Sequence, residues 1–180
     1  DEAFMDFVDG SYSLVGYIGI YSNLMILRSL TKFFALPGLR IGFALSNPDF
    51  IKMLSLLKDP WNINTFAGVV SPYVMKDSDY IQRTRQLIAQ EREWLWKELG
   101  KIPGLLPFHP EANYIFVKMQ GDITADILAE ELKKLGILIR QCANYPFLDH
   151  RFFRVAVKDR RANTLLVEAI REIIGGRANG

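Results

Sequence analysis

Cysteine and histidine are scarce in this chain, and their scarcity narrows its chemistry. A single cysteine, Cys142, among 180 residues excludes an internal disulfide framework and suits a reducing cytoplasm. His109 and His150 have neither metal-ligand spacing nor a nucleophile partner, so both read as surface histidines and no metal site is expected. No apolar run approaches the roughly 18 residues of a membrane span, and neither a signal peptide nor a polybasic cluster is visible. A formal charge of +2 is too small to argue for nucleic acid, which needs a concentrated basic face. Internal repeats and low-complexity tracts are also lacking. What remains, 49% apolar and 23% charged sequence, can bury a sizeable core in one or two domains, with small anions as expected ligands.

Within that composition one lysine has a distinctive setting. Lys32 lies in the run Arg28-Ser29-Leu30-Thr31-Lys32-Phe33-Phe34-Ala35-Leu36-Pro37-Gly38-Leu39-Arg40. The apolar stretch Asn23 to Leu30 predicts a strand that delivers it. Ser29, Thr31 and, beyond the Pro37-Gly38 turn, Arg40 can hold a phosphate, with Arg40 offering a forked and permanently charged donor set. The amine can condense with an aldehyde. That donor set matches pyridoxal 5'-phosphate (PLP). A solvated surface residue is the ordinary fate of a lysine, but no other lysine in the chain has these neighbours.

Together with Asp1-Glu2-Ala3-Phe4 upstream, this segment resembles the cofactor half of fold-type I PLP enzymes, in the branch shared by histidinol-phosphate aminotransferases and threonine-phosphate decarboxylases. Further stretches resemble the decarboxylases of cobalamin biosynthesis: Pro60-Trp61-Asn62-Ile63-Asn64, Glu111-Ala112-Asn113-Tyr114, the run from Ile137 through Arg140-Gln141-Cys142-Ala143-Asn144-Tyr145-Pro146, and Phe153-Arg154-Val155-Ala156-Val157. The likeness extends from Asp1 to about Ile174. It implies an α/β fold, the C-terminal half of a fold-type I PLP-dependent transferase-like fold. Residues 1–77 would be part of the large cofactor domain, 78–100 a bridging helix, 101–175 a small α/β sandwich domain and 176–180 a frayed tail. Because Asp1 stands first with no strand before it, the chain is expected to be the later half of a longer enzyme and inactive alone. A homodimer with active sites at the interface is also implied, as is exposed apolar surface wherever the other half is missing.

The resemblance also assigns roles. Asp1 would pair with the pyridine nitrogen, whose proton deepens the electron sink. Lys32 would be the catalytic amine and would afterwards carry a proton at the α-carbon. Ser29, Thr31 and Arg40 would grip the cofactor phosphate; a hydroxyl at Thr31 can equally cap a local turn. Arg140 and Arg154 would orient a small anionic amino-acid phosphate, and which of them takes which anion is open. Phe4 departs from the aminotransferase branch, where a tyrosine is usual, and points toward the decarboxylases. The expected reaction is decarboxylation of L-threonine O-3-phosphate to (R)-1-amino-2-propanol O-2-phosphate and CO2. A histidinol-phosphate-type aminotransferase and a non-catalytic folded fragment are the alternatives. Asn113 and Asn144 are as readily backbone hydrogen-bonders, Cys142 a small buried apolar residue, and Trp61, Trp94 and Trp96 packing residues.

The local patterns predict buried strands at 23–30 and 40–45, and a helix from Pro48 to Leu57 opened by Asn47. Helical pattern follows from Asn64 to Met75 and from Ser78 to Leu99, where Ile81, Ile88, Leu95 and Leu99 recur and Gly100 stops the run. Beyond Pro103-Gly104 the order is strand 114–119, helix 124–135, strands 137–141 and 152–157, and a helix 161–174 closed by Gly175. Helix 124–135 would bury Ile127, Leu128, Leu132 and Leu135. The sum is helices over a mostly antiparallel sheet.

Overall fold

Apolar runs bounded by Gly, Pro, Asn and Ser form strands in the first part of the chain. Strands β1 (Met25–Ser29) and β2 (Gly42–Ser46) pair antiparallel, with Met25 opposite Ser46 and Ser29 opposite Gly42. The computed structural model describes residues 1–8, 10 and 12–177, Arg177 by its backbone alone. It divides into two units, Asp1–Thr84 and Arg85–Gly180.

In the first unit, the turn of helix α1 (Leu30–Phe33) follows β1 directly. A 3-10 turn (Pro37–Leu39) then returns the chain to β2. Helix α2 (Pro48–Leu57) begins where its cap predicts, with the Phe50 amide donating to Asn47 Oδ1 at 3.0 Å. Helix α3 (Thr65–Val74) is capped in the same way by Asn64, which accepts from the Ala67 amide at 2.9 Å. The strands differ from expectation. Ile26 alone is buried along β1 and no residue is along β2, because among the described residues this sheet has only these strands. Trp61 does not pack either: it is 96% exposed and adopts a left-handed backbone conformation, φ 62°.

Helix α4 (Ser78–Gly100) runs on into the second unit, whose sheet has the order β3 (Leu105–Pro107), β4 (Tyr114–Met119), β6 (Phe152–Ala156), β5 (Arg140–Gln141). Every pairing in it is antiparallel. Alternation along β4 and β6 buries Ile115, Val117, Met119, Phe153 and Val155, while Tyr114, Phe116, Lys118, Phe152 and Arg154 point to the other face. Leu95 and Leu99 of α4 and Leu166, Val167 and Ile170 of α6 (Arg160–Arg177) contribute to the core. A buried polar tie joins these two helices: Glu91 accepts from Arg160 Nε at 3.0 Å and from Asn163 Nδ2 at 3.1 Å. With its partners in place the Glu91 charge is compensated.

Helix α5 (Ala125–Lys134) is capped by Thr124 and closed by Gly136 at φ 75°, as its pattern requires. Its buried residues are Ala125, Leu128 and Leu132; Ile127 is partly exposed and Leu135, already past the last turn, is 58% exposed. The stripe is therefore narrower than four apolar residues would suggest. Strand β5 is shorter than predicted, β3 was not expected, and α6 continues through Gly175 and Gly176. Glycine weakens a helix by about 1 kcal/mol relative to alanine, which does not by itself end one. Of the tail expected to fray, residues 178–180 lie outside the described residues.

Candidate active site

Ser29 ends β1 and caps α1, accepting from the Thr31 amide at 3.2 Å. That cap turns the chain sharply, so the Ser29 and Thr31 hydroxyls lie 2.7 Å apart and Lys32 follows on the same turn. Thr31 thus takes part in the local turn without itself being the cap. Buried Phe33 anchors the segment: its ring meets Phe7 at 4.9 Å and Phe34 at 5.1 Å, and its carbonyl accepts from the Tyr80 hydroxyl at 2.8 Å. Lys32 itself is exposed, with Nζ 5.9 Å from the centroid of the Phe4 ring. No carboxylate among the described residues pairs with it.

Arg40 returns beside this turn through the backbone. The Leu30 amide donates to the Ile41 carbonyl at 3.2 Å, and Gly42 lies opposite Ser29. The approach is close enough to demand glycine, since a Cβ at Gly42 would sit 2.6 Å from the Arg28 carbonyl oxygen. Arg40 adopts a left-handed conformation, φ 49°, and its exposed guanidinium donates to the Pro37 carbonyl at 3.1 Å. Asp1 is exposed and accepts from the Ala3 amide at 2.9 Å.

In the second unit Arg140 and Arg154 stand directly opposite one another on β5 and β6. Arg154 lies over the Tyr114 ring at 5.1 Å and Arg140 over Tyr145 at 6.0 Å, while Asn144 Oδ1 accepts weakly from Arg140 at 3.4 Å. No carboxylate among the described residues neutralises either arginine. Like charges facing across strands repel, so the pair forms a local field ready for an anion. Cys142 follows β5, buried; burial pushes its thiol pKa up, against the opposing pull of Arg154 and Arg140. Asn113 leaves Oδ1 buried without a hydrogen-bond partner, and its carbonyl accepts from the Val157 amide at 2.8 Å.

The donor set fits PLP: adjacent hydroxyls and a guanidinium for a phosphate, an accessible amine for an aldehyde, and a carboxylate for a ring nitrogen. The family model for class I and II aminotransferases matches residues 1–170. The chain belongs to the class I and II aminotransferase family. That family is PLP-dependent, and its members include the fold-type I architecture described here. Two relatives of different activity match to a similar extent. The chain is 35% identical to the threonine-phosphate decarboxylase of Salmonella typhimurium, over 99% of this chain and 49% of that one. It is 37% identical to the histidinol-phosphate aminotransferase of Caldanaerobacter subterraneus subsp. tengcongensis, over 97% and 48%. The crystal structure of the histidinol-phosphate aminotransferase from Clostridium acetobutylicum superposes with a TM-score of 0.93 at 38% identity, covering 98% of this chain and 54% of that one. This family member thus spans about half the length of the relatives it matches.

Sequence reasoning missed the network around Arg28. Glu2, 8% exposed, places Oε2 2.9 Å from Arg28 Nε and Oε1 2.9 Å from the Leu14 amide, and it also accepts from the Ser13 hydroxyl at 2.9 Å. Arg28 reaches Asp6 at 2.9 Å and Ser13 at 3.0 Å as well. An arginine inside an otherwise apolar strand run was the only signal of it.

Proposed function

We propose that this chain provides the lysine-bearing part of a PLP-dependent carboxy-lyase that decarboxylates L-threonine O-3-phosphate in cobalamin biosynthesis, as a cytoplasmic homodimer. The observation carrying the PLP reading is the Ser29–Thr31–Lys32 turn, where the hydroxyl pair is preformed at 2.7 Å beside an amine with no acid partner among the described residues. PLP, when bound, supplies the electron sink for a bond broken at the substrate's α-carbon. Ser29, Thr31 and Arg40 would hold its phosphate, Asp1 would favour the charged ring nitrogen, and Lys32 would supply the amine that binds it and a group to move a proton at the substrate's α-carbon. Arg140 and Arg154 would take the substrate's phosphate and carboxylate and so orient the substrate.

Phe4 supports the lyase over the transferase. It lies under the Lys32 amine and has no hydroxyl to offer the cofactor. The Clostridium acetobutylicum likeness favours the second reading, a histidinol-phosphate-type aminotransferase. The two separate in one assay of the protein as encoded, supplied with PLP and either threonine phosphate or histidinol phosphate. Carbon dioxide from threonine phosphate is the expected product; a keto product from histidinol phosphate would select the transferase. Borohydride reduction followed by peptide mapping should label Lys32, and a label on any other lysine would overturn the PLP assignment.

A further inference from the structure

Asp1 and Lys32 belong to different backbone segments, and Arg28 joins those segments by charge where the Phe7–Phe33 ring contact joins them by packing. The Glu2 amide donates to the Leu27 carbonyl at 2.8 Å, which lays the first residues alongside β1. Arg28, the next residue on that strand, then spreads its guanidinium over the Asp1-to-Phe7 segment: Nε lies 2.9 Å from Glu2 as an ion pair without hydrogen-bond alignment, one terminal nitrogen donates to Asp6 at 2.9 Å, and the other donates to Ser13 at 3.0 Å. Glu2 is adjacent in sequence to the proposed ring-nitrogen acid, and Asp6 lies five residues from it in the 3-10 turn Met5–Phe7. In the other direction Arg28 adjoins Ser29, and its carbonyl is the atom against which Gly42 packs. A forked cation can hold these acceptors at once; a point charge cannot.

We infer that Arg28 is a positioning residue for the cofactor: through Glu2 and Asp6 it fixes the spacing between the Asp1 carboxylate and the Ser29–Lys32 turn. The inference rests on the PLP reading proposed above. The Arg28 guanidinium is taken up by Glu2, Asp6 and Ser13, so its role is exerted through them. It acts by keeping two separate elements in one frame, and a loosened frame lets the Asp1 carboxylate drift from the ring nitrogen. A ring that loses its positive charge holds the proton on the lysine–cofactor nitrogen more tightly, because one of two like charges has gone.

The test uses the protein as encoded, loaded with PLP, in wild-type, Arg28→Lys and Arg28→Met forms. Lysine keeps the charge and loses the fork, so it tests geometry should the methionine variant fail to fold. Both folded variants are expected to show a visible cofactor band whose pH midpoint rises by about one unit. Their PLP affinity should fall about tenfold or more, the scale at which loss of an orienting partner weakens a bound group. A purely structural role for Arg28 would lower the melting temperature of the cofactor-free protein and leave midpoint and affinity at wild-type values; that result overturns the inference. Failure of the wild type itself to take up PLP overturns the functional reading and this inference with it, so the two failures are distinguishable.

Discussion

The side chains around Arg140 carry two separable consequences at the scale of single residues. Arg140 is exposed and faces Arg154 across the strands, so its charge costs stability that an anionic ligand would offset. Arg140→Gln should therefore leave the fold as stable or raise its stability by up to about 0.5 kcal/mol. If Arg140 holds the substrate as proposed, the same substitution should weaken a phosphate-bearing substrate at least about tenfold, the scale of one charged hydrogen bond. Thermal melts and Michaelis constants measured together check both signs, and a clear loss of stability would contradict the unneutralised pair. Cys142 gives the second. Burial raises its thiol pKa, so the folded chain carries less of the reactive thiolate than the unfolded chain at the same pH. Alkylation should proceed only when denaturant opens the fold; rapid labelling of the native protein would refute the assignment of Cys142 as a shielded apolar residue.

Among the elements, α5 distinguishes an apolar pattern from a buried face. Leu128 and Leu135 both belong to the sequence stripe, yet Leu128 is fully buried and Leu135 lies beyond the helix's last turn. Leu128→Ala should cost about 2–5 kcal/mol, from lost transfer energy and the cavity left behind. Leu135→Ala should stay within about 0.5 kcal/mol, as surface substitutions do. Urea unfolding of both variants decides it; equal effects would mean that the stripe is buried along its whole length. The Asn47 cap was legible, and Asn64 and Thr124 as helix starts, because cap chemistry is local. Asn47, Asn64 and Thr124 each accept from the amide three residues on, and that geometry needs nothing from the rest of the chain. Strand burial was not legible, because it depends on which other strands lie alongside.

For the molecule as a whole, the acid limb of stability has a named contributor. Arg151 holds the Asp149 carboxyl well below the usual range, at about 2, first through its side chain and then through its backbone amide. The depressed value means the native state binds this proton less readily than the unfolded chain does. Its stabilisation is thus present above the ordinary aspartate value of 3.8 and is lost as pH falls to about 2. Asp149→Asn should flatten that part of a stability-versus-pH curve. Identical slopes for variant and wild type would assign acid sensitivity to other carboxylates, such as Glu93 and Glu98, which Lys97 and Lys101 respectively also hold low.

What the amino-acid order determined alone was whatever short-range chemistry decides: the Asn47 cap, the strand at 114–119, the Ser29–Lys32 run, and membership of a PLP-dependent family. Those features need only neighbours within a few residues, or several separated motifs in one order along the chain. Tertiary structure decided how distant residues meet. It put Arg140 opposite Arg154, left β1 and β2 largely open, and wrapped Glu2 and Asp6 around Arg28. Each of these follows from pairing register and burial, which are properties of segments brought together across the chain and are set only when the whole fold forms.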